Sequence, residues 1–216
     1  MATYTIEVLN NSGFPKSYVI FSALPEVTKS GEGFDVFTNA WVTFNSIGNN
    51  GFDMVTYDDS IDAYWGTIPE ELEPGVIVGS GGFMPVDTTI EDGVSFKGST
   101  PAGFNSLTPR VATSGSFQIK AESDFDASNR YVFGMAKPTN SPIPSPVATF
   151  TAEPSEIFEV IPVVKFFVSN GSFTQGEIID VKSFATNPAK IDFTGKAQTK
   201  AIVIQDSKGL FTVKYV

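Results

Sequence analysis

A chain of 216 residues with 41% hydrophobic content is long enough to bury a sizeable core, and β-sandwiches or barrels of this length commonly form one domain. Fourteen Lys and Arg against twenty-four Asp and Glu give a formal net charge of -10, a poor surface for nucleic acid or an anionic membrane, whose phosphates are held by cations. The absence of His and Cys excludes a Ser-His-Asp or Cys-His triad, thiolate zinc, facial-triad iron and a disulfide framework.

Twenty Phe, six Tyr and two Trp among nineteen Gly and fourteen Pro describe short aromatic strands separated by tight turns. The predicted fold class is therefore all-β: a single-domain antiparallel β-sandwich or barrel-like fold over residues 1–216, with helix below about 10%. Charge is unevenly spread, with three Lys and fourteen acids in residues 1–100 against eleven cations and ten acids in residues 101–216. This acidity serves solubility, with steering of a cationic partner as the alternative.

In chain order, residues 3–9 alternate, Tyr4, Ile6 and Val8 against Thr3, Thr5 and Glu7, and read as a half-buried strand. Residues 17–23 are apolar on both faces and are expected to pair with the first strand as a hairpin, nearer the middle of the sheet. Residues 34–45 read as one strand, with Phe34, Val36, Thr38, Ala40, Val42 and Phe44 on one face. After a Gly48-Asn49-Asn50-Gly51 turn, two further strands at 52–57 and 61–67 flank Asp58-Asp59-Ser60. They gather Asp53, Asp58, Asp59 and Asp62 beside Tyr57, Tyr64 and Trp65.

Residues 69–75 could hold about one helical turn between Pro and Gly. Short strands are expected at 76–78 and 94–97 in a loop-rich region, then a pair at 116–122 and 130–136. Residues 137–147, with four Pro between Pro138 and Pro146, read as an extended crossing and the best candidate boundary. Residues 157–168 (IFEVIPVVKFFV) form the apolar spine of the chain, with Phe158, Val160, Pro162, Val164, Phe166 and Val168 on the inward face. Pro162 donates nothing to a ladder, so a bulge, an edge or a break is expected there. Strands at 177–185, 189–194, 200–205 and 210–216 then suggest an antiparallel meander.

The N-terminal residues show neither a basic nor an apolar signal region, and no apolar run approaches a membrane span of about 18 residues, so the expectation is a cytoplasmic chain without a transmembrane segment, unless a leader has been removed. Gly79-Ser80-Gly81-Gly82 lacks the Lys and the helix of a phosphate loop. Carboxylates at Asp53, Asp58, Asp59 and Asp62, or at Asp87, Glu91 and Asp92, are the places to look for a glycosidase pair or calcium, but the calcium-loop order is not met and such acids are common in turns. No catalytic residue, metal or cofactor is expected.

Sugar binding needs an aromatic face and groups that hydrogen-bond hydroxyls. The candidate ligand-binding residues are Tyr64, Asp62, Asp58, Asn49, Asn50 and Trp41. Alternation places Asp62 and Tyr64 on one face and Trp65 on the other, predicting Tyr64 as the ligand platform and Trp65 as the core anchor. The expected function is a non-catalytic, lectin-like binding module for neutral glycans, able to form a homo-oligomer. The alternatives are a self-assembling structural protein, a pore former using residues 93–121 as an amphipathic hairpin, and a carboxylate glycosidase. In general composition the chain resembles cytosolic lectins and other small β-sandwich binding proteins.

Overall fold

In a computed structural model, which describes residues 2–184 and 187–216, the alternating aromatic and β-branched stretches form nineteen short strands. In chain order these are β1 (Thr3–Asn10), β2 (Lys16–Ser22), β3 (Glu26–Lys29), β4 (Glu32–Gly33), β5 (Phe37–Thr38), β6 (Val42–Ile47), β7 (Phe52–Asp58), β8 (Ile61–Thr67), β9 (Gly79–Val86) and β10 (Gly93–Lys97). They continue with β11 (Gly103–Thr108), β12 (Phe117–Ala121), β13 (Tyr131–Lys137), β14 (Ser145–Thr151), β15 (Ile157–Ile161), β16 (Phe166–Asn170), β17 (Ala189–Ile191), β18 (Lys200–Gln205) and β19 (Phe211–Tyr215). Among the described residues the helical content is two 3-10 turns, Ala127–Asn129 and Val181–Ser183, as the composition predicts.

The strands form four open sheets, in the orders β19-β18-β1-β7, β17-β16-β2-β6, β11-β10-β12-β15-β3-β4 and β5-β14-β13-β8-β9. All pairs are antiparallel except β1 with β18 and β10 with β12. The first two sheets face each other, Tyr18 donating to Gln205 at 2.9 Å and lying edge-on to Phe211. The last two are joined by Phe133 and Phe150 of one packing on Phe158 of the other, with ring centroids 5.8 and 5.2 Å apart. One buried cluster runs through both stacks, from Ile6 and Val203 to Phe96 and Phe158. This is a β-sandwich arrangement with no closed barrel.

The spine reaches both stacks because it breaks at Pro162. Its first half, β15, lies between β12 and β3, and its second half, β16, lies between β17 and β2. Phe158, Val160, Phe166 and Val168 are buried as the alternation predicts, whereas Val164, in the break, is 47% exposed. The strand of residues 16–22 is interior to its sheet, as expected.

Local pattern located strands better than it paired them. β1 and β2 form no hairpin: β1 lies between β18 and β7, and β2 between β16 and β6, in facing sheets. Residues 34–45 are not one strand, because beyond β5 Asn39 and Ala40 bond the segment at 176–179, Ala40 N donating to Glu177 O at 2.8 Å and Asn39 Nδ2 to Gly176 O at 2.9 Å. β12 and β13 also sit in different sheets. Residues 138–144 are no crossing but the loop of a β13–β14 hairpin, with Lys137 opposite Ser145. β3, β4, β9, β11 and β14 are strands that the alternation does not reveal, the last three lying among Gly, Ser and Pro. The expected strand 177–185 is instead two bridges, Ile77 with Glu177 and Asn39 with Ile178, followed by a 3-10 turn, and Ala185 lies outside the described residues. No C-terminal meander forms, since β17, β18 and their neighbours are divided between sheets and β18 runs parallel to β1.

Candidate functional site

β8 and β13 run side by side at the centre of their sheet, with Tyr131 opposite Thr67 at one end and Ala136 opposite Asp62 at the other. The two ends carry the two polar features that bear on function. At the Asp62 end, Lys137 closes β13, with Asp58 and Ser60 in the turn before β8. Lys137 Nζ donates to Ser60 O at 2.8 Å and lies 5.7 Å from the Tyr57 ring centroid. Trp41 Nε1 donates to Lys137 O at 3.3 Å, and the indole stacks on Phe166 at 4.8 Å and meets Tyr57 edge-on at 5.2 Å. Asp58 accepts from Ser60 N at 2.9 Å.

Desolvation dominates the electrostatics of this end. Lys137 is 3% exposed and Asp62 6%. Burial pulls the Lys137 ammonium down to about 8, against the opposing pull of Asp59, Asp58 and Asp62. Burial likewise lifts the Asp62 carboxyl to about 6, with Lys137 opposing and Asp58 adding to the shift. Hydrogen bonds from Ser60 hold Asp58 below the usual carboxylate range, and burial raises the Tyr57 phenol. The Tyr57 hydroxyl and Ser145 Oγ are buried and make no hydrogen bond among the described residues. With Trp41, Tyr57, Phe166 and Lys137 all at 3% exposure or less, the group is a polar node inside the core.

Three of the six sequence-predicted ligand residues, Trp41, Asp58 and Asp62, converge on Lys137. The other three do not. Tyr64 is 1% exposed, packs with Val76, Val78, Val132 and Ile178, and donates to Gly79 O at 2.8 Å. Trp65, on the other face, is half-buried over Gly81 and Gly82, where an added Cβ at Gly81 would fall 2.5 Å from its ring. The expected role of Tyr64 as ligand platform is therefore corrected, since its face of β8 is the more closed one, whereas Trp65 packs against the main core, its ring 5.2 Å from that of Phe96. Tyr64 is closed off because the segments around Val76, Val78 and Ile178, expected as strands, form only isolated bridges and pack over it. Asn49 and Asn50 are exposed in the β6–β7 turn, where Asn49 Oδ1 accepts from Gly13 N at 2.9 Å and Asn50 takes a left-handed φ of 60°. Among the described residues no three carboxylates are placed to hold a metal ion.

At the Tyr131 end the strand termini splay into a cleft of about 810 Å³. Phe34 enters from the β4–β5 link and Phe37 from β5, Ile68, Glu70, Glu71 and Leu72 follow β8, Asp126 and Arg130 flank the first 3-10 turn, and Thr151 ends β14 with Ala152 to Pro154 beyond it. Backbone bonds hold the pieces together, Ile68 N donating to Arg130 O at 3.2 Å and Ala152 N to Tyr131 O at 3.1 Å. Residues 69–75, read as one possible helical turn, form no helix here and supply Glu70, Glu71 and Leu72. Phe34, Phe37, Ile68, Leu72 and Tyr131 are half-buried, and Asp35, Glu70, Glu71, Asp126 and Arg130 are exposed. Sequence reasoning missed this cleft because its parts lie tens of residues apart. The nearest local signal was the doubling of Glu beside Leu and Pro at 69–74.

Such a cleft on a β-sandwich defines a protein that presents a concave, partly aromatic and mainly acidic surface. The chain belongs to the RhiA family, whose model matches residues 1–216. No curated protein and no solved structure matches it.

Proposed function

We propose that this chain is a non-catalytic binding protein that takes a carbohydrate in the cleft between Phe34, Leu72 and Tyr131. The observation that supports the reading is the union, in one concave volume, of half-buried aromatic rings with carboxylates and a guanidinium. Aromatic faces suit the apolar side of a pyranose, and carboxylates accept from its hydroxyls. The cleft lies within the volume usual for small-ligand sites, about 300 to 1,000 Å³. An affinity near about 1 mM is expected of a single open site, so a homo-oligomer or a repeated glycan would be needed for firm attachment. A cytoplasmic location accords with the lack of cysteine. Among the described residues no helix is long and apolar enough to cross a membrane.

Two alternatives are less well supported by the geometry. Assembly through sheet edges is disfavoured at β7, where Asn140 Oδ1 accepts from Thr56 N at 3.3 Å and Asn140 Nδ2 donates to Met54 O at 3.2 Å. Release of residues 93–121 as a membrane hairpin would strip Val94, Phe96, Phe117 and Ile119 from the core, each at 1% exposure or less.

The test is a glycan array followed by calorimetric titration of the best glycan into wild type and an Asp35→Ala, Glu71→Ala double variant. Weakening of about tenfold or more in the double variant is expected. Silence across the array, or undiminished binding by the double variant, would end the proposal.

A further inference from the structure

The cleft is apolar within and anionic at its rim, and this imbalance narrows the ligand class beyond the carbohydrate reading on which it rests. Asp35, Glu70, Glu71, Asp126 and Glu153 line it against one cation, Arg130. Among the described residues the ion pairs are Lys29 with Glu153, Lys165 with Asp192 and Lys200 with Glu7, so of the five carboxylates only Glu153 is matched. Asp126 is engaged at the N-terminus of its 3-10 turn, accepting from Ser128 N at 2.8 Å and Ser128 Oγ at 2.5 Å. Asp35, Glu70 and Glu71 are exposed and, among the described residues, form no ion pair.

The chain itself shows how two of the lining residues, Glu153 and Phe34, treat an ammonium. Lys29 Nζ lies 2.6 Å from Glu153 Oε2 and 5.1 Å from the Phe34 ring centroid, so carboxylate and aromatic face act on one amine together. A neutral sugar would satisfy hydrogen bonds and leave the net negative charge of the lining uncompensated. A sugar carrying a protonated amine would offset that charge and repeat the Lys29 arrangement.

We propose that the ligand is an amino sugar with a free ammonium group, its ring against Phe34 and Phe37 and its ammonium among Asp35, Glu70 and Glu71. The same oligosaccharide with its amines acetylated keeps the ring faces and hydroxyls and loses only the charge, which makes the pair a direct probe.

The experiment titrates the whole protein with a glucosamine tetramer and with its N-acetylated counterpart by calorimetry at about pH 6, where the amine holds its proton. The free-amine oligomer is expected to bind at least about tenfold more tightly. That gap should shrink as salt rises from about 0.05 to about 0.5 M. An Asp35→Asn, Glu70→Gln, Glu71→Gln variant should reduce the gap to under about threefold with an unchanged melting temperature. Equal affinities for the two oligomers would overturn the amine assignment and leave the carbohydrate reading standing. Binding of neither would remove both. A gap that survives in the triple variant, or spermidine binding as tightly as the glucosamine tetramer, would show charge attraction outside a sugar site and overturn the proposal.

Discussion

β8 and β13 end in two different ways. At one end Asp62 and Lys137 are sealed beneath Trp41, Tyr57 and Phe166, with pKa values displaced by burial; at the other, about 20 Å away along the strands, Asp35, Glu70 and Glu71 stand open around a cleft. The sealed end has the chemistry often taken as the mark of a functional site, perturbed acids and an amine within one group. What it lacks is access. The open end has access and exposed acids, and the comparison teaches that enclosure displaces the ionisation of Asp62 and Lys137 while hydrogen bonds from Ser128 displace that of exposed Asp126, so a displaced pKa alone marks no opening; the cleft follows the gaps left where strands stop.

Stability should separate the two ends most sharply. Phe166 is 1% exposed and holds the roof of the sealed end against Trp41 and Tyr57, so Phe166→Ala should cost about 3 to 5 kcal/mol. A urea midpoint equal to wild type would show that the roof carries no packing energy.

A smaller effect, with a sign set by pH, is expected at Asp62. Its folded-state carboxyl is raised from 3.8 to about 6, so the native state binds the proton more tightly than the unfolded chain. The resulting stabilisation is complete below about pH 4 and is lost as pH rises through about 6. Asp62→Asn, which needs no ionisation, should therefore exceed wild type in stability at neutral pH by about 1 to 2 kcal/mol, and the advantage should vanish near pH 4. Thermal melts of the two proteins across this range would sink the idea of an enclosed, ionisation-resisting carboxyl if the difference stays constant.

The smallest effect belongs to the open end. Glu70→Gln with Glu71→Gln removes exposed charges that form no ion pair among the described residues, so stability should change by less than about 0.5 kcal/mol. Ligand affinity should change at the same time. A loss of stability comparable to that of Phe166→Ala would show that the cleft rim is a packing element and erase the contrast between the two ends.

Strand identity was legible in most stretches whose side chains alternate with a two-residue period: β1, β7, β8, β18 and both halves of the spine appear within a residue or two of their expected bounds, whereas the alternating residues 34–45 divide into β5 and β6. The break at Pro162 was also legible, because an imino nitrogen cannot donate to a ladder whatever surrounds it. Half of the candidate ligand set, Trp41, Asp58 and Asp62, does share one place, since the 58–62 turn keeps its acids near by covalent proximity. The fate of Tyr64 was not legible. Alternation states which residues share a face, but not whether that face meets solvent or another segment.

The sequence by itself determined the all-β class, the exclusion of histidine and cysteine chemistry, and the apolar faces, because these follow from composition and from the geometry of a single strand. Only the tertiary structure decided which strands pair, that residues 138–144 close a hairpin, that Lys137 is buried beside Asp62, and that Phe34, Leu72, Arg130 and Pro154 border one cleft. These depend on contacts between residues separated by tens to more than a hundred positions, as Tyr18 with Gln205 or Trp41 with Lys137. Their energies come from removing side chains from water together, and neither partner's neighbours along the chain record that encounter.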